Sequence, residues 1–149
     1  MPTNVLRQGN IKRASRQPDR TAPGVPRLAN LKAGSITLQL ELLPTKTAEL
    51  IWRALPIFSI CETWGSCIHF ECPVKAGRER KARLKVGVGD VCYWIEDDRV
   101  MVGWGPTPIS RANEIRLMRP SNIWARVTNG DPAALDIITP GEKISLVQA

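Results

Sequence analysis

The sequence predicts a mainly β fold, a small closed β-barrel that carries one main short helix and one single-turn helix. Three observations point there. Ile36–Leu42 alternates apolar and polar residues strictly, the period-two signature of a half-buried strand. Downstream, short runs rich in β-branched and aromatic residues recur between Gly, Pro and Asp breakers, the spacing of a barrel or sandwich. The 149 residues, 43% apolar and 23% charged, suffice for one domain with its own core and are unlike a disordered, collagenous or coiled-coil chain.

Taken in order, Ile36, Leu38, Leu40 and Leu42 share the buried face of the first strand. Pro44 breaks it and Thr45 and Thr47 supply capping hydroxyls. Leu50, Ile51, Ala54 and Leu55 then recur at helical spacing until Pro56, so a short helix is expected. Strands follow over 67–72, 82–88, 91–95, 100–104, 122–127 and 143–147. Asp131 can cap a single helical turn over 131–135, with Pro132 at its first position.

Positions 1–34 hold Arg7, Lys12, Arg13, Arg16, Arg20, Arg27 and Lys32 against one acid, Asp19, whereas the remainder carries 14 basic and 13 acidic residues. Nearly all of the +7 net charge therefore belongs to this arm. With Pro2, Pro18, Pro23 and Pro26 and no aromatic residue, it is expected to be a flexible basic tail, residues 1–34, ahead of a barrel domain at 35–149. A solvated extension, a transit peptide and an arm for polyanions all fit that composition. No apolar segment of a secretory signal follows the early basic residues, and no apolar run approaches the ~20 residues that span a bilayer. A soluble, cytoplasmic protein is expected, free of membrane, as a monomer or a homodimer.

Several strings resemble those of a small prokaryotic cyclophilin-like family, compact barrels mostly of unassigned function. They are Thr47-Ala48-Glu49-Leu50-Ile51-Trp52-Arg53-Ala54-Leu55-Pro56, Thr63-Trp64-Gly65, Val88-Gly89-Asp90-Val91-Cys92-Tyr93-Trp94, Gly105-Pro106-Thr107-Pro108 and Pro120-Ser121-Asn122-Ile123-Trp124. The resemblance spans roughly 35–147 and implies a closed cyclophilin-like β-barrel with one main helix. This chain departs from the family pattern after Gly65, where Ser66, Cys67, Ile68 and His69 replace acidic and aromatic residues, and at the acidic stretch Glu96-Asp97-Asp98. The Phe-Met-x-Gln-Gly string of proline-isomerising cyclophilins is absent, so an isomerase here would have to draw its donor from Arg99, Arg111 or Arg126.

Candidate chemistry gathers in three places. Cys67, His69 and Glu71 alternate onto one strand face, which would suit a thiolate nucleophile or part of a metal site, with Arg99 as an anion or carbonyl donor; an ordinary solvent-facing strand face is the alternative. Cys61, Cys67, Cys72 and Cys92 contain no C-x-x-C pair, so neither a zinc ribbon nor a thioredoxin-like motif is present; with no secretion signal they are expected to be reduced, and no metal or cofactor is expected. Thr107, set between two prolines, has a pre-set backbone and a hydroxyl for a fixed polar contact, with Trp64, Tyr93, Trp94 and Trp104 as apolar walls; a rigid turn capping the barrel is the alternative. Lys81, Arg83 and Lys85 alternate outward opposite Ala82, Leu84 and Val86, a basic ribbon that either solubilises a strand edge or touches nucleic-acid backbone.

The reading that follows is a barrel that binds a small molecule or peptide near the Gly-Pro-Thr-Pro loop. The alternatives are a peptidyl-prolyl isomerase and a nucleic-acid accessory protein that uses the tail and the ribbon.

Overall fold

The computed structural model describes residues 25–149, so the expected tail over 1–24 lies outside the described residues. Its last part is corrected. Leu28–Ala33 is a strand, β1, whose Ala29, Leu31 and Ala33 are fully buried. Alternation was present there, but the positive charge averaged over 1–34 hid it. Arg27 is no tail residue either: its guanidinium lies 5.3 Å over the Trp52 ring and pairs with Glu49 at 2.6 Å.

β1 turns at Gly34, in the left-handed region at φ 55, into β2 (Ile36–Leu42). Helix α1 (Lys46–Ala54) follows, opened by Thr45, whose hydroxyl accepts from Ala48 N–H at 3.1 Å, and buries Thr47, Ala48, Ile51 and Trp52. The remaining strands are β3 (Ile57–Ile60), β4 (Glu62–Thr63), β5 (Cys67–Glu71), β6 (Arg83–Val86), β7 (Asp90–Trp94), β8 (Arg99–Gly103), β9 (Ile115–Asn129) and β10 (Lys143–Gln148). A short 3-10 helix, Pro132–Ile137, stands where the single turn was expected, with the Asp131 carboxylate accepting from Ala133 N–H at 3.0 Å.

Every ladder is antiparallel, and the order is β3-β10-β1-β2-β9-β7-β8-β5-β4, with β6 on β9. The expected closure into a barrel is not found, because the path has two ends. Those ends are β3 and β4, which only Cys61 separates, so they run on from one another and cannot pair side by side. Cys61 instead bonds β10's approach, donating to Glu142 O and accepting from Gly141 N–H, both at 2.8 Å.

Two cores form on opposite faces of β5, β7 and β8. The main one takes Ile68, Phe70, Val91, Tyr93, Val100 and Val102 together with α1 and β1–β2. The alternate residues Cys67, Cys92 and Met101 form a second core with Val86, Ile115 and Leu117, because β6 and the first half of β9 fold over that face. This corrects the expectation of a solvent-facing strand face at Cys67 and partly at His69, while Glu71 at the strand end is exposed. Among the described residues no helix is long and apolar enough to cross a membrane.

Candidate ligand cleft beside the second core

The rim of the second core is aromatic. Trp94, at the end of β7, meets Trp64 edge-on, with centroids 5.8 Å apart and planes at 85°, and its ring also lies 4.7 Å from the His69 imidazole, tilted by 32°. These three side chains line a cleft of about 400 Å³, together with Leu117, Met118 and Ser121 from β9. Glu96, Asp97 and Arg119 complete its lining. That volume lies within the range of small-molecule sites, roughly 300–1,000 Å³.

The turn that presents Trp64 is fixed from both sides. Trp64 N–H donates to Cys67 O at 3.0 Å, and the Cys67 thiol donates back to Trp64 O at 2.8 Å. Gly65 has φ 60, and a Cβ there would stand 2.8 Å from Pro106 O and from Pro108 Cδ and 2.9 Å from Thr107 Cα. Only glycine lets this turn lie flat on the Gly105–Pro108 segment. Ser66 N–H donates to Pro106 O, and Trp104 N–H to Ser66 O, both at 2.9 Å.

His69 is held in one chemical form. Arg99 Nε donates to its Nδ1 at 2.8 Å, across the β5–β8 ladder. Burial, reinforced by the positive charge of Arg99, lowers the His69 pKa to about 4. The imidazole is therefore neutral at pH 7 with Nδ1 occupied as an acceptor, which leaves Nε2–H as a donor. A ring in this state orients a ligand by hydrogen bonding and is a poor general base.

The other expected site residues are placed elsewhere. Cys67 is fully buried, and desolvation pushes its thiol up to about 12, so it packs as a small hydrophobe and does not act as a thiolate. Glu71 pairs in register with Arg99, and both line a different, open groove with Lys32 and Phe58, so Cys67, His69 and Glu71 do not converge. Tyr93 is fully buried: its hydroxyl donates to Val74 O at 2.7 Å, contacts Asp98 Oδ1 at 2.8 Å and accepts from Ala76 N–H at 3.2 Å. Burial and the Asp98 contact raise that phenol to about 12. Trp104 packs on the main core and donates from Nε1 to Asp136 at 3.3 Å.

Thr107 is buried and turned inward. Its hydroxyl donates to Arg116 O at 2.5 Å and contacts Ser110 Oγ at 3.0 Å, while its N–H donates to Ser110 Oγ at 2.8 Å. It lines none of the clefts described here. Of the ligand-wall candidates, Trp64 and Trp94 thus meet at one site with His69, and Tyr93, Trp104 and Thr107 support the scaffold. Sequence reading missed Leu117, Met118 and Ser121, since the first half of β9 is interrupted by Arg119-Pro120 and does not alternate cleanly. Among the described residues no group of three His, Cys, Asp or Glu side chains is placed to hold a metal ion.

A single antiparallel sheet with helix α1 packed into its main core and an aromatic cleft beside its second core defines a small cyclophilin-like β domain. The chain belongs to the Cyclophilin-like family, which it matches over residues 27–147. Its fold is similar to the solution structure of the hypothetical protein AF2241 from Archaeoglobus fulgidus. The TM-score is 0.73 at 30% identity, over 85% of this chain and 97% of that one. A more distant likeness, in fold alone, is to McbB in complex with tryptophan, with a TM-score of 0.60 at 17% identity over 80% of this chain and 44% of that one. No curated protein matches.

Proposed function

We propose that this domain binds a small organic molecule, or a peptide side chain, in the Trp64–His69–Trp94 cleft. One observation carries the reading: a perpendicular tryptophan pair and a neutral, oriented imidazole share a cleft of about 400 Å³. The indole faces offer dispersion and quadrupole contacts to a flat or apolar group, and His69 Nε2–H offers one donor to an acceptor on it. Glu96, Asp97 and Arg119 in the lining supply charge of both signs for a polar end.

Proline isomerisation is the enzymatic alternative and has weaker support. Of the three arginines that would supply its donor, Arg111 sits on an exposed turn and Arg126 pairs with Asp90 at 2.8 Å, away from the aromatic corner. Only Arg99 adjoins the corner, with its Nε given to His69.

The test is an NMR screen of the full chain against phenyl-, indole- and prolyl-bearing fragments, read on the five tryptophan indole N–H signals and the backbone amides. Hits are expected to move Trp64, Trp94, Leu117 and Met118 together while Trp52 and Trp124 stay in place. Hits that gather on residues 105–108, or the lack of any saturable hit, would overturn the reading.

A further inference from the structure

A second cleft, of about 500 Å³, flanks the other half of β9, and its charge is one-sided. Arg80, Lys81, Arg83 and Arg126 line it beside Thr45, with Glu79 as the single acid. These four cations come from three segments of chain: the loop before β6, β6 itself and β9. A strand that merely resists edge pairing would spread its charges into solvent. Here all four are solvent-exposed, yet they border one concavity.

The one acid of the lining keeps its charge but is held in place by neutral donors of α1. Glu79 Oε2 accepts from Thr47 N–H at 2.9 Å and from the Thr47 hydroxyl, so this carboxylate faces the first turn of α1. The loop around it is pinned by the fully buried Asn122. Asn122 Oδ1 accepts from Glu79 N–H at 2.9 Å, and its Nδ2 donates to Thr47 Oγ1 at 2.9 Å and to Gly77 O at 2.8 Å. Arg126 is also oriented. Its guanidinium donates at 2.8 Å to Asp90, a buried carboxylate whose other oxygen accepts from Gly87 N–H at 2.9 Å. Among the described residues Arg80, Lys81 and Arg83 enter no ion pair, whereas Lys85, the third member of the expected ribbon, lies 4.0 Å from Glu114.

We propose that this cleft binds a phosphoryl group. Arg80, Lys81 and Arg83 repel one another, and an anion with several acceptor oxygens relieves that repulsion while matching the forked donors of Arg80 and Arg83, with Arg126, paired to Asp90, at its edge. The first-turn N–H groups of α1 at Thr47 and Ala48 are already taken by Glu79 and Thr45, so the side-chain cations make this site and the helix end does not. Two sources share the chemistry: a small phosphorylated metabolite and the backbone of a nucleic acid. The site is independent of the aromatic cleft.

The experiment titrates the full chain with sodium pyrophosphate, and separately with a short single-stranded oligonucleotide, following amide and Arg Nε signals by NMR. Saturable shifts confined to Thr45, Arg80, Lys81, Arg83 and Arg126 are expected. R83E should weaken binding by at least ~10-fold, and K32E, a charge reversal at the exposed Lys32 of β1, should leave it unchanged. Tighter binding of the oligonucleotide with a steep salt dependence assigns the source to nucleic acid, and pyrophosphate binding alone assigns it to a small phosphorylated molecule. Shifts spread evenly over all basic residues, no saturation with either probe, or R83E binding as the parent does would overturn the proposal. Folding of R83E is checked by its unperturbed Trp124 and Tyr93 signals.

Discussion

The Gly105–Pro108 turn and the Trp64–Trp94 corner touch one another, and both carry residue types expected at a pocket. They differ in where their polar groups point. In the turn, the Thr107 hydroxyl and N–H close on Arg116 O and Ser110 Oγ, so nothing is left for a ligand. In the corner, Arg99 occupies one nitrogen of His69 and leaves the other as a donor, beside the Trp94 ring that Trp64 meets edge-on. A proline-framed threonine is thus a clamp, and the surface it clamps is the functional candidate. The two regions are joined at Gly65, whose missing side chain allows the contact.

That contrast can be broken or sharpened by experiment, beginning with the largest effect. Cys67, held near pKa 12, should react with iodoacetamide at pH 8 at least ~100-fold more slowly in the native protein than in the unfolded chain. Native-like labelling at unfolded rates would put a usable thiolate back in the corner. G65A adds a methyl at positive φ against three backbone or ring atoms, and should lower unfolding free energy by about 2–4 kcal/mol in urea melts. A change within ~0.5 kcal/mol would mean that the two turns are not in contact.

T107V leaves the shape and removes the hydroxyl, stranding the Arg116 carbonyl, and should cost about 1–3 kcal/mol of stability while fragment affinity at the corner stays within about two-fold. The pH dependence is smaller. His69 is lowered to about 4 in the fold from 6.5, so the unfolded chain binds the proton that the folded one refuses. Its contribution is therefore complete above pH 6.5 and is lost as pH falls from 6.5 toward 4. Between pH 7 and 4.5 the parent should lose roughly 1–2 kcal/mol more than H69Q, whose remaining acid response comes from carboxylates such as Glu49 and Glu114. Parallel curves would show that His69 is not held neutral.

Strand existence was legible wherever alternation or an apolar run stood between breakers, as at Ile36–Leu42 and in the β7 and β8 segments. The helix was legible from Thr45 and its apolar spacing. β1 was not, because composition averaged over a basic arm concealed three small buried side chains at alternate positions. The open sheet was not legible either, since which strands end a sheet is decided by long-range pairing. At the site, Trp64, Trp94 and His69 were each named from sequence, but their meeting was not. It depends on β6 and the first half of β9 covering the second face of the sheet. A signal for that existed in the unbroken apolar runs Val91–Tyr93 and Val100–Val102, which suit a strand buried on both faces and not a half-exposed one. Thr107 misled because its hydroxyl is taken by Ser110 and by the Arg116 carbonyl nine residues on, and adjacency to prolines says nothing of either.

The measurement that decides most directly is the affinity of the strongest-shifting aromatic fragment for the parent, W64L and T107V, titrated side by side by NMR. The account predicts at least a ~10-fold loss for W64L, about 1.4 kcal/mol, and no more than about a two-fold change for T107V. The reverse order, with T107V abolishing binding and W64L sparing it, would return the ligand to the Gly-Pro-Thr-Pro loop and contradict the account.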